Sequence, residues 1–232
     1  MNPSAERSPA PVRVRDLGQG VPFDEAFALQ EEIAAARRAG ACPDTLLLLE
    51  HAPVYTLGRS ASPANVLWDA ARRAEAGIQL AQATRGGDVT YHGPGQLVGY
   101  PILHLPQRGL GVLDYIANLE ETVLRAVADF GVSAHRDGRN RGVWAGDCKL
   151  CALGIHVSHR VTRHGFALNV NTRLDDFRGI VACGLQGCGV TSLQRLLGRP
   201  VDMEAVKRAV LRHFADVFRC SLEPWEEPPQ DA

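Results

Sequence analysis

Strand-like and helix-like segments follow one another in this chain without a strict alternation, and this order limits the folds that are open to it. Apolar residues at helical spacing predict helices over residues 24–39, 65–76, 113–130 and 202–218. Asp202 is the predicted N-cap of the last helix. Apolar runs predict strands over residues 45–49, 78–84, 96–105, 149–157 and 166–170. The mixed order predicts an α/β (α+β) fold with a mixed β-sheet flanked by helices.

The length of the chain suits one domain with its own core, at 232 residues. No internal repeat, low-complexity tract or Gly/Ser linker divides the sequence. Both ends are polar and rich in proline, as mobile termini are. We therefore expect a single domain over residues 1–232, ordered over about 12–222.

The charge balance excludes several classes of partner. The chain has 25 Lys and Arg against 26 Asp and Glu, a formal net charge of -1. Proteins that bind nucleic acid through its phosphates carry a basic surplus, so we expect no nucleic-acid partner. No apolar run reaches the roughly 18 residues of a membrane span, and the N-terminal segment lacks the apolar core of a secretory signal. We therefore expect a cytoplasmic protein without a membrane partner.

Residues 85–96, RGGDVTYHGPGQ, form the segment richest in glycine and polar groups. Four glycines and a proline predict tight, partly left-handed turns in a loop between two strands. Glycine lets a ligand approach the backbone, and the side chains in the segment favour a binding site over the alternative of a structural hairpin. The glycine spacings of dinucleotide and P-loop sites are absent, so the pattern does not indicate a nucleotide.

A second segment, residues 147–156, contains a Cys-x-x-Cys pair and Lys149, one of only two lysines in the chain. A structural zinc site needs four ligands, and no second Cys pair completes one, although three histidines follow downstream. A thioredoxin-like pair would open a helix, whereas this segment is typical of a strand. Cys151 is therefore expected to be a small buried thiol. Lys149 is either a solvated strand-end lysine or a functional group, because lysine can give up a proton and arginine cannot.

A third segment, residues 180–193, places Cys183 and Cys188 among glycines, upstream of a helix start at Thr191 or Ser192. With no export signal, the six cysteines of the chain are expected to be free thiols. Backbone N–H groups and a nearby ammonium can stabilise a thiolate on such a loop. The spacing alone does not decide between Cys183 and Cys188, nor between a reactive thiol and a buried structural one.

Residues 85–101, RGGDVTYHGPGQLVGYP, resemble the signature of the lipoyl(octanoyl) transferases, which move octanoyl groups from acyl carrier protein to lipoyl domains. Further matches follow in the same order at residues 149–154, 164–171, 182–184 and 190–193. Together they cover roughly residues 45–195, most of the chain. The resemblance implies the fold of the catalytic domain of biotin and lipoate protein ligases.

The resemblance also implies roles for individual residues. Cys183 would be the acyl-thioester nucleophile, and Lys149 the group that lowers its pKa. The residues that would line the acyl pocket are Arg85, Gly86, Gly87, Asp88, Val89, Thr90, Tyr91, His92, Ala152, Leu153, Gly154, Gly165, Phe166 and Ala167. The chain departs from the family at Ala182, where proline is usual, and at Cys151, where a small residue such as alanine is usual. These departures concern loop geometry rather than the catalytic roles.

The implied reaction needs no cofactor and no metal, because the donor thioester is already activated. The implied partners are octanoyl-acyl carrier protein as donor and the lipoyl domains of lipoate-dependent enzymes as acceptors. Between residues 136 and 178, basic residues outnumber acidic ones, which suits an acidic partner. The alternative for this stretch is a solvated, arginine-rich surface.

Two other functions remain open. An ATP-dependent lipoate or biotin protein ligase of the same fold would activate its acid as an adenylate and would need no cysteine nucleophile. A non-catalytic metal-binding module would use Cys148, Cys151 and the downstream histidines. The Cys183-Gly184 motif favours the transferase over both.

Overall fold

The computed structural model describes residues 10–138, 140–181 and 189–225. The helices in these ranges are α1 (Phe23–Arg38), α2 (Ala70–Glu75), α3 (Val112–Ala128), α4 (Leu193–Leu197) and α5 (Met203–Phe218). The predictions for α1, α3 and α5 are confirmed to within two residues. The carboxylate of Asp202 accepts a hydrogen bond from the Glu204 N–H at 3.0 Å, which confirms the predicted N-cap.

The helix predicted over residues 65–76 is wrong in its first half. A short 3-10 helix ends at Asn65, and Val66 is extended. The Asp69 side chain then accepts a hydrogen bond from the Arg72 N–H at 2.8 Å and caps α2. The helix starts only after this residue because an N-cap residue has non-helical backbone angles.

A mixed sheet forms the centre of the described structure. Its strands are β1 (Val12–Asp16), β2 (Asp44–Leu49), β6 (Gln96–Ile102), β7 (His135–Arg136), β8 (Gly142–Ala145), β9 (Cys148–Ser158), β10 (Val161–Asn169), β11 (Gly189–Val190) and β12 (Leu222–Pro224). The order across the sheet is β12-β1-β2-β6-β10-β9-β8-β7, and β11 pairs with β9. Pairings of β1 with β12 and β2, and of β11 with β9, are parallel, while the others are antiparallel. The predicted mixed sheet is confirmed.

A smaller sheet carries the glycine-rich segment. Its strands are β3 (Val54–Leu57), β4 (Gln79–Gln82) and β5 (Val89–His92), in the order β4-β3-β5. Residues 85–96 were expected to form a loop, but β5 lies inside them and all four of its residues are buried. Turns remain on both sides of β5, at residues 85–88 and 93–95, where Gly87 and Gly95 have φ angles of 85° and 80°, left-handed values that favour glycine.

Strand β10 begins five residues before the predicted strand 166–170, because its buried polar residues find partners. The Thr162 hydroxyl accepts a hydrogen bond from the Leu103 N–H at 2.9 Å, and Arg163 forms an ion pair with Glu31. Strand β6 ends at Ile102 rather than at residue 105, because Leu105 opens a short 3-10 helix that contains Pro106.

Helices cover both faces of the main sheet. Helices α3 and α5 pack on one face, where Leu119, Val123 and Phe214 are fully buried. Helix α1 packs on the other face through Ala26 and Ile33. In the described ranges, no helix combines the length and the apolar character that crossing a membrane requires.

A buried carboxylate fixes the start of β2. Asp44 accepts hydrogen bonds from the Arg37 guanidinium at 2.6 Å and from the His104 N–H at 2.9 Å, and it pairs with Arg108. All three charged side chains are less than a tenth exposed. Removing one charge from such a group leaves the others buried without compensation.

We expect Asp44→Ala to lower the free energy of unfolding by about 3–5 kcal/mol, because two buried guanidinium groups lose their counter-charge. Urea titration of the purified variant measures this loss. Asp175→Ala is the matched control, since Asp175 pairs with Arg178 in full solvent, and a change within about 0.5 kcal/mol is expected there. Equal losses in the two variants would contradict the structural role of Asp44.

Candidate active site

A single cavity brings together residues from the small sheet, from β9 and from β10. All of the predicted pocket residues except Tyr91 line it: Arg85, Gly86, Gly87, Asp88, Val89, Thr90, His92, Ala152, Leu153, Gly154, Gly165, Phe166 and Ala167. The space between these walls is about 560 Å³, part of which is open to solvent. Three segments that are far apart in the sequence therefore meet around one space.

Four further lining residues were missed by the sequence reasoning: Phe23, Tyr100, Asn140 and His164. Tyr100 and His164 lie inside the family-like motifs, which was the available signal for them. Phe23 lies on α1 and Asn140 lies before β8, outside every motif, so only the fold brings them to the cavity.

Arg85 fixes the glycine turn that forms one wall. Its guanidinium donates to the backbone and side-chain oxygens of Thr56 at 2.6 and 2.8 Å, and to the Asp88 carbonyl at 2.8 Å. Gly58 lies so close to this turn that a Cβ there would come within 2.3 Å of the Gly87 carbonyl oxygen. Arg85 is buried, with 8 % of its surface exposed, and its hydrogen bonds hold this wall in place.

Tyr91 lies on the opposite side of β5 from the cavity. Its hydroxyl donates to the Asp176 carboxylate at 2.8 Å, which also accepts from Arg173 at 2.9 Å. The Tyr55 hydroxyl donates to the Asp176 carbonyl at 2.5 Å. These bonds hold the short 3-10 helix at Leu174–Gly179, which leads directly into residues 180–181. Tyr91 therefore anchors the approach to the Cys183 segment instead of lining the cavity.

Lys149 reaches the cavity side of the sheet through a bulge. Val143 pairs with Cys151, and both pack against the helices α3 and α5. The next pair is Trp144 with Lys149, because Leu150 is the extra residue of the bulge. Cross-strand partners share a face, so Lys149 lies on the face opposite to Cys151. Simple alternation along β9 would have put both side chains on the same face.

Lys149 is buried beside residues that adjoin the cavity, although it is not itself one of the lining residues. Its ammonium donates to the Arg141 carbonyl at 3.3 Å and lies 4.9 Å from the Trp144 ring centroid. The Trp144 indole donates to the carbonyl of Asn140, which lines the cavity. The cation–π contact and the low exposure of 6 % hold the charge in a fixed position.

A chain of hydrogen bonds connects Lys149 to His92. The Thr191 N–H donates to the Lys149 carbonyl at 3.0 Å, and Asn169 donates to the Thr191 carbonyl at 3.0 Å. Gln96 donates to Asn169 at 2.9 Å, so its oxygen faces His92 Nδ1 at 2.8 Å. His92 consequently carries its proton on Nδ1 and keeps a lone pair on Nε2.

Cys183 itself lies outside the described residues, as do Ala182, Gly184 and Cys188. The residues on both sides of this segment are placed. The Val181 N–H donates to the Asn65 carbonyl at 2.8 Å, and Asn65 bonds to Asp88 of the cavity wall. At the other end, Val190 pairs directly with Lys149. Both ends of the segment therefore adjoin the cavity.

The histidines near the cavity are uncharged at neutral pH. Burial lowers the pKa of His51 to about 4 and that of His164 to about 3, and it lowers the pKa of His92 well below its usual range. The positive charge of the Arg85 guanidinium also lowers the pKa values of His92 and His164. These imidazoles offer the cavity neutral rings.

Three of the four described thiols are poorly suited to nucleophilic attack. Burial raises the pKa of Cys151 far above its usual range, and it also raises the pKa values of Cys42 and Cys220. A raised pKa leaves almost no thiolate at neutral pH. Over residues 10–138, 140–181 and 189–225, no group of three or more His, Cys, Asp or Glu side chains is placed to hold a metal ion.

The arginine-rich stretch from residue 136 to 178 is neutralised in part. Arg136 pairs with Glu120 and Glu121, and Arg163 pairs with Glu31, so these two charges are balanced by carboxylates outside the stretch. Arg173 and Arg178 pair with aspartates of the stretch itself, which leaves its surplus unchanged. Arg141 and Arg160 are exposed. The stretch gives somewhat weaker support for an acidic partner than its composition implied.

Comparison with solved structures defines the class of this fold. A putative lipoate protein ligase from T. acidophilum superposes with a TM-score of 0.74 at 16% identity, covering 94% of this chain and 90% of that one. A lipoate-protein ligase A solved with ATP gives 0.73 at 16% identity over the same shares. The biotin protein ligase of Aquifex aeolicus gives 0.53 at 14% identity, covering 89% and 68%. The predicted ligase-type catalytic fold is confirmed.

Sequence comparison then gives the family. The model of the lipoyl protein ligase A/B catalytic domain matches residues 22–215. The octanoyltransferase of Geobacter metallireducens is 48% identical over 201 residues, covering 87% of this chain and 91% of the relative. That of Pelobacter propionicus is 48% identical over 212 residues, covering 91% and 96%. The chain belongs to this family, within its octanoyltransferases, and is an acyltransferase.

We expect the free energy of unfolding to fall as the pH is lowered from about 6.5 to about 5. Because the folded-state pKa values are depressed, the unfolded chain takes up protons first, and each buried histidine costs about 1–2 kcal/mol over this interval. Urea titration at both pH values measures the loss.

His51→Gln should lose less stability over the interval than the parent chain, by about one histidine's share. His135→Gln removes an exposed imidazole and is the matched control. This variant should lose as much stability over the interval as the parent chain does. An identical pH dependence in His51→Gln and the parent chain would contradict the assignment of a neutral His51.

Proposed function

We propose that this protein transfers an octanoyl group from octanoyl-acyl carrier protein to a lysine amine of lipoyl domains, through a thioester on Cys183. The observation that carries the proposal is the convergence of the predicted pocket residues on one cavity, with Lys149 connected to the lining residue Asn140 through Trp144. Membership of the octanoyltransferases supplies the reaction class, and the residue roles are the proposal.

The first step forms the acyl-enzyme. The Cys183 thiolate attacks the carbonyl carbon of the donor thioester, and the bond from that carbon to the carrier sulfur breaks. The carrier thiolate takes up a proton from the Lys149 ammonium as it leaves, so that Lys149 becomes a neutral amine. An ordinary cysteine has a pKa of about 8.5 and is mostly protonated at neutral pH. The buried ammonium of Lys149 favours the thiolate, provided that Cys183 lies beside it.

The second step releases the product. The acceptor amine attacks the enzyme thioester, an amide bond forms, and Cys183 leaves as a thiolate. The amine loses one proton in this step, and Lys149 or a neighbouring histidine is the proposed acceptor of that proton. His92 lines the cavity with a free lone pair on Nε2, which makes it the histidine candidate.

The positions of the neighbouring residues support Cys183 as the nucleophile. The segment 182–188 starts beside the cavity wall at Val181 and returns to β9 at Val190, which pairs with Lys149. The four cysteines in the described ranges are Cys42, Cys148, Cys151 and Cys220. Burial raises the pKa of Cys42, Cys151 and Cys220, which leaves Cys148 and the segment 182–188 as sources of a thiolate.

An ATP-dependent lipoate ligase remains the alternative activity. Solved structures of that class share the fold at 16% identity, which is too low to carry their chemistry to this chain. The two activities differ in their need for ATP. A transferase forms its acyl-enzyme from the donor thioester alone, since that bond is already activated.

Intact-mass analysis after incubation with octanoyl-acyl carrier protein, without ATP, tests the proposal. We expect one octanoyl adduct on the protein, and transfer of that group to an added lipoyl domain. Cys183→Ala should abolish both, because the only group removed is the attacking sulfur. Circular dichroism of the variant confirms that its fold is intact.

Cys188→Ala is the matched control, since it removes a thiol from the same segment five residues away. It should retain the adduct and the transfer. Normal turnover by Cys183→Ala would place the nucleophile elsewhere. A strict requirement for ATP would replace the proposed transferase with a ligase.

A further inference from the structure

We propose that the closed end of the cavity, with Phe23 as its determining residue, sets the maximum length of the acyl chain. This proposal rests on the function proposed above. It concerns lining residues of α1 and β6 that lie outside the predicted pocket segments.

The burial of the lining residues shows which end is closed. Phe23, Tyr100 and His164, whose rings lie at one end, are at most 3 % exposed. At the other end, Gly87 is exposed, and Asn140 and Leu153 are partly exposed. Lys149 lies at this open end, next to Asn140. A chain attached at the open end therefore extends towards Phe23 and Tyr100.

The closed end is a cluster of rings that hold one another. The Tyr100 hydroxyl lies 2.7 Å from His51 Nε2, while His51 Nδ1 donates to the Val21 carbonyl at 2.9 Å. His164 lies edge-on to Tyr100 with centroids 5.9 Å apart, and its Nε2 bonds to the Thr84 hydroxyl at 3.0 Å. Tyr100 and His164 are thus fixed by hydrogen bonds.

Phe23 also lines the closed end, and its side chain has no group that forms hydrogen bonds. Its ring stacks on Phe27 at 6.0 Å and lies 5.6 Å from the His51 ring. It is contributed by the first turn of α1, whereas the other wall residues come from the sheet. Truncation of Phe23 therefore enlarges the closed end and leaves the hydrogen bonds of Tyr100 and His164 in place.

The width of the sheet matches an eight-carbon chain. The strands β9, β10 and β6 are consecutive, so Gly154 on β9 and Tyr100 on β6 are two strand spacings apart, about 10 Å. An extended octanoyl group has seven C–C bonds of about 1.5 Å and spans roughly 9 Å. A chain whose carbonyl carbon lies beside Gly154 and that runs across the strands therefore ends at the ring cluster.

The experiment measures initial rates of transfer to a lipoyl domain from octanoyl-, decanoyl- and dodecanoyl-carrier protein. The wild-type protein should prefer octanoyl. Phe23→Ala should raise the decanoyl-to-octanoyl rate ratio by about tenfold, the discrimination that two buried methylene groups carry. Phe23→Leu, a milder truncation, should shift the ratio in the same direction and serves if Phe23→Ala does not fold.

Phe130→Ala is the matched control, because Phe130 packs against the cluster on the other face of the sheet. It removes the same ring and should leave the ratio unchanged, whatever it does to stability. A wild-type enzyme that uses dodecanoyl as well as octanoyl, or an unchanged ratio in a folded Phe23 variant, would overturn the inference. Failure of the wild-type protein to transfer octanoyl from any carrier would instead overturn the proposed function.

Discussion

The bulge between β8 and β9 is the constraint on which the site depends. It inserts Leu150 between two cross-strand pairs, so that Cys151 faces the helices and Lys149 faces the cavity. The Lys149 ammonium then donates a hydrogen bond to the Arg141 carbonyl and forms a cation–π contact with the Trp144 ring. Its strand also receives β11, so the chain returns from residues 182–188 beside the same lysine. One irregularity therefore fixes both the position of a buried cation and the return point of the segment that carries Cys183.

The rest of the cavity divides into an open end and a closed end with different physical characters. The open end has backbone-rich walls, in which glycines allow close approach and Arg85 holds the turn. The closed end consists of rings from α1, β6 and β10, and burial keeps the imidazoles of His51 and His164 there uncharged. A reacting carbonyl needs the cation and the polar backbone, and an alkyl tail needs an uncharged wall. The arrangement suits an acyl group held by its tail with its carbonyl at the rim.

Much of this site could be predicted from the sequence, because glycine and other small residues are needed where a ligand approaches the backbone closely. The spacing of apolar residues predicted α1, α3, α5 and, through the order of the elements, a mixed sheet. Three features needed the fold. The direction of Lys149 depends on a bulge that the alternation of β9 conceals. Tyr91 points away from the cavity because the carboxylate of Asp176, distant in the sequence, accepts a hydrogen bond from its hydroxyl. Phe23 lies in an ordinary amphipathic helix, and only the packing of α1 on the sheet brings it to the cavity.

The pH dependence of thiol alkylation at Cys183 tests most directly whether Lys149 activates that sulfur. Mass spectrometry after pulses of iodoacetamide gives a rate at each pH for this one residue. We expect a midpoint below the ordinary cysteine value of about 8.5 in the wild-type protein, and a rise towards that value in Lys149→Met. Lys149→Arg, which keeps the charge, should retain a lowered midpoint. A midpoint at or above the ordinary value that does not respond to Lys149→Met would contradict the account.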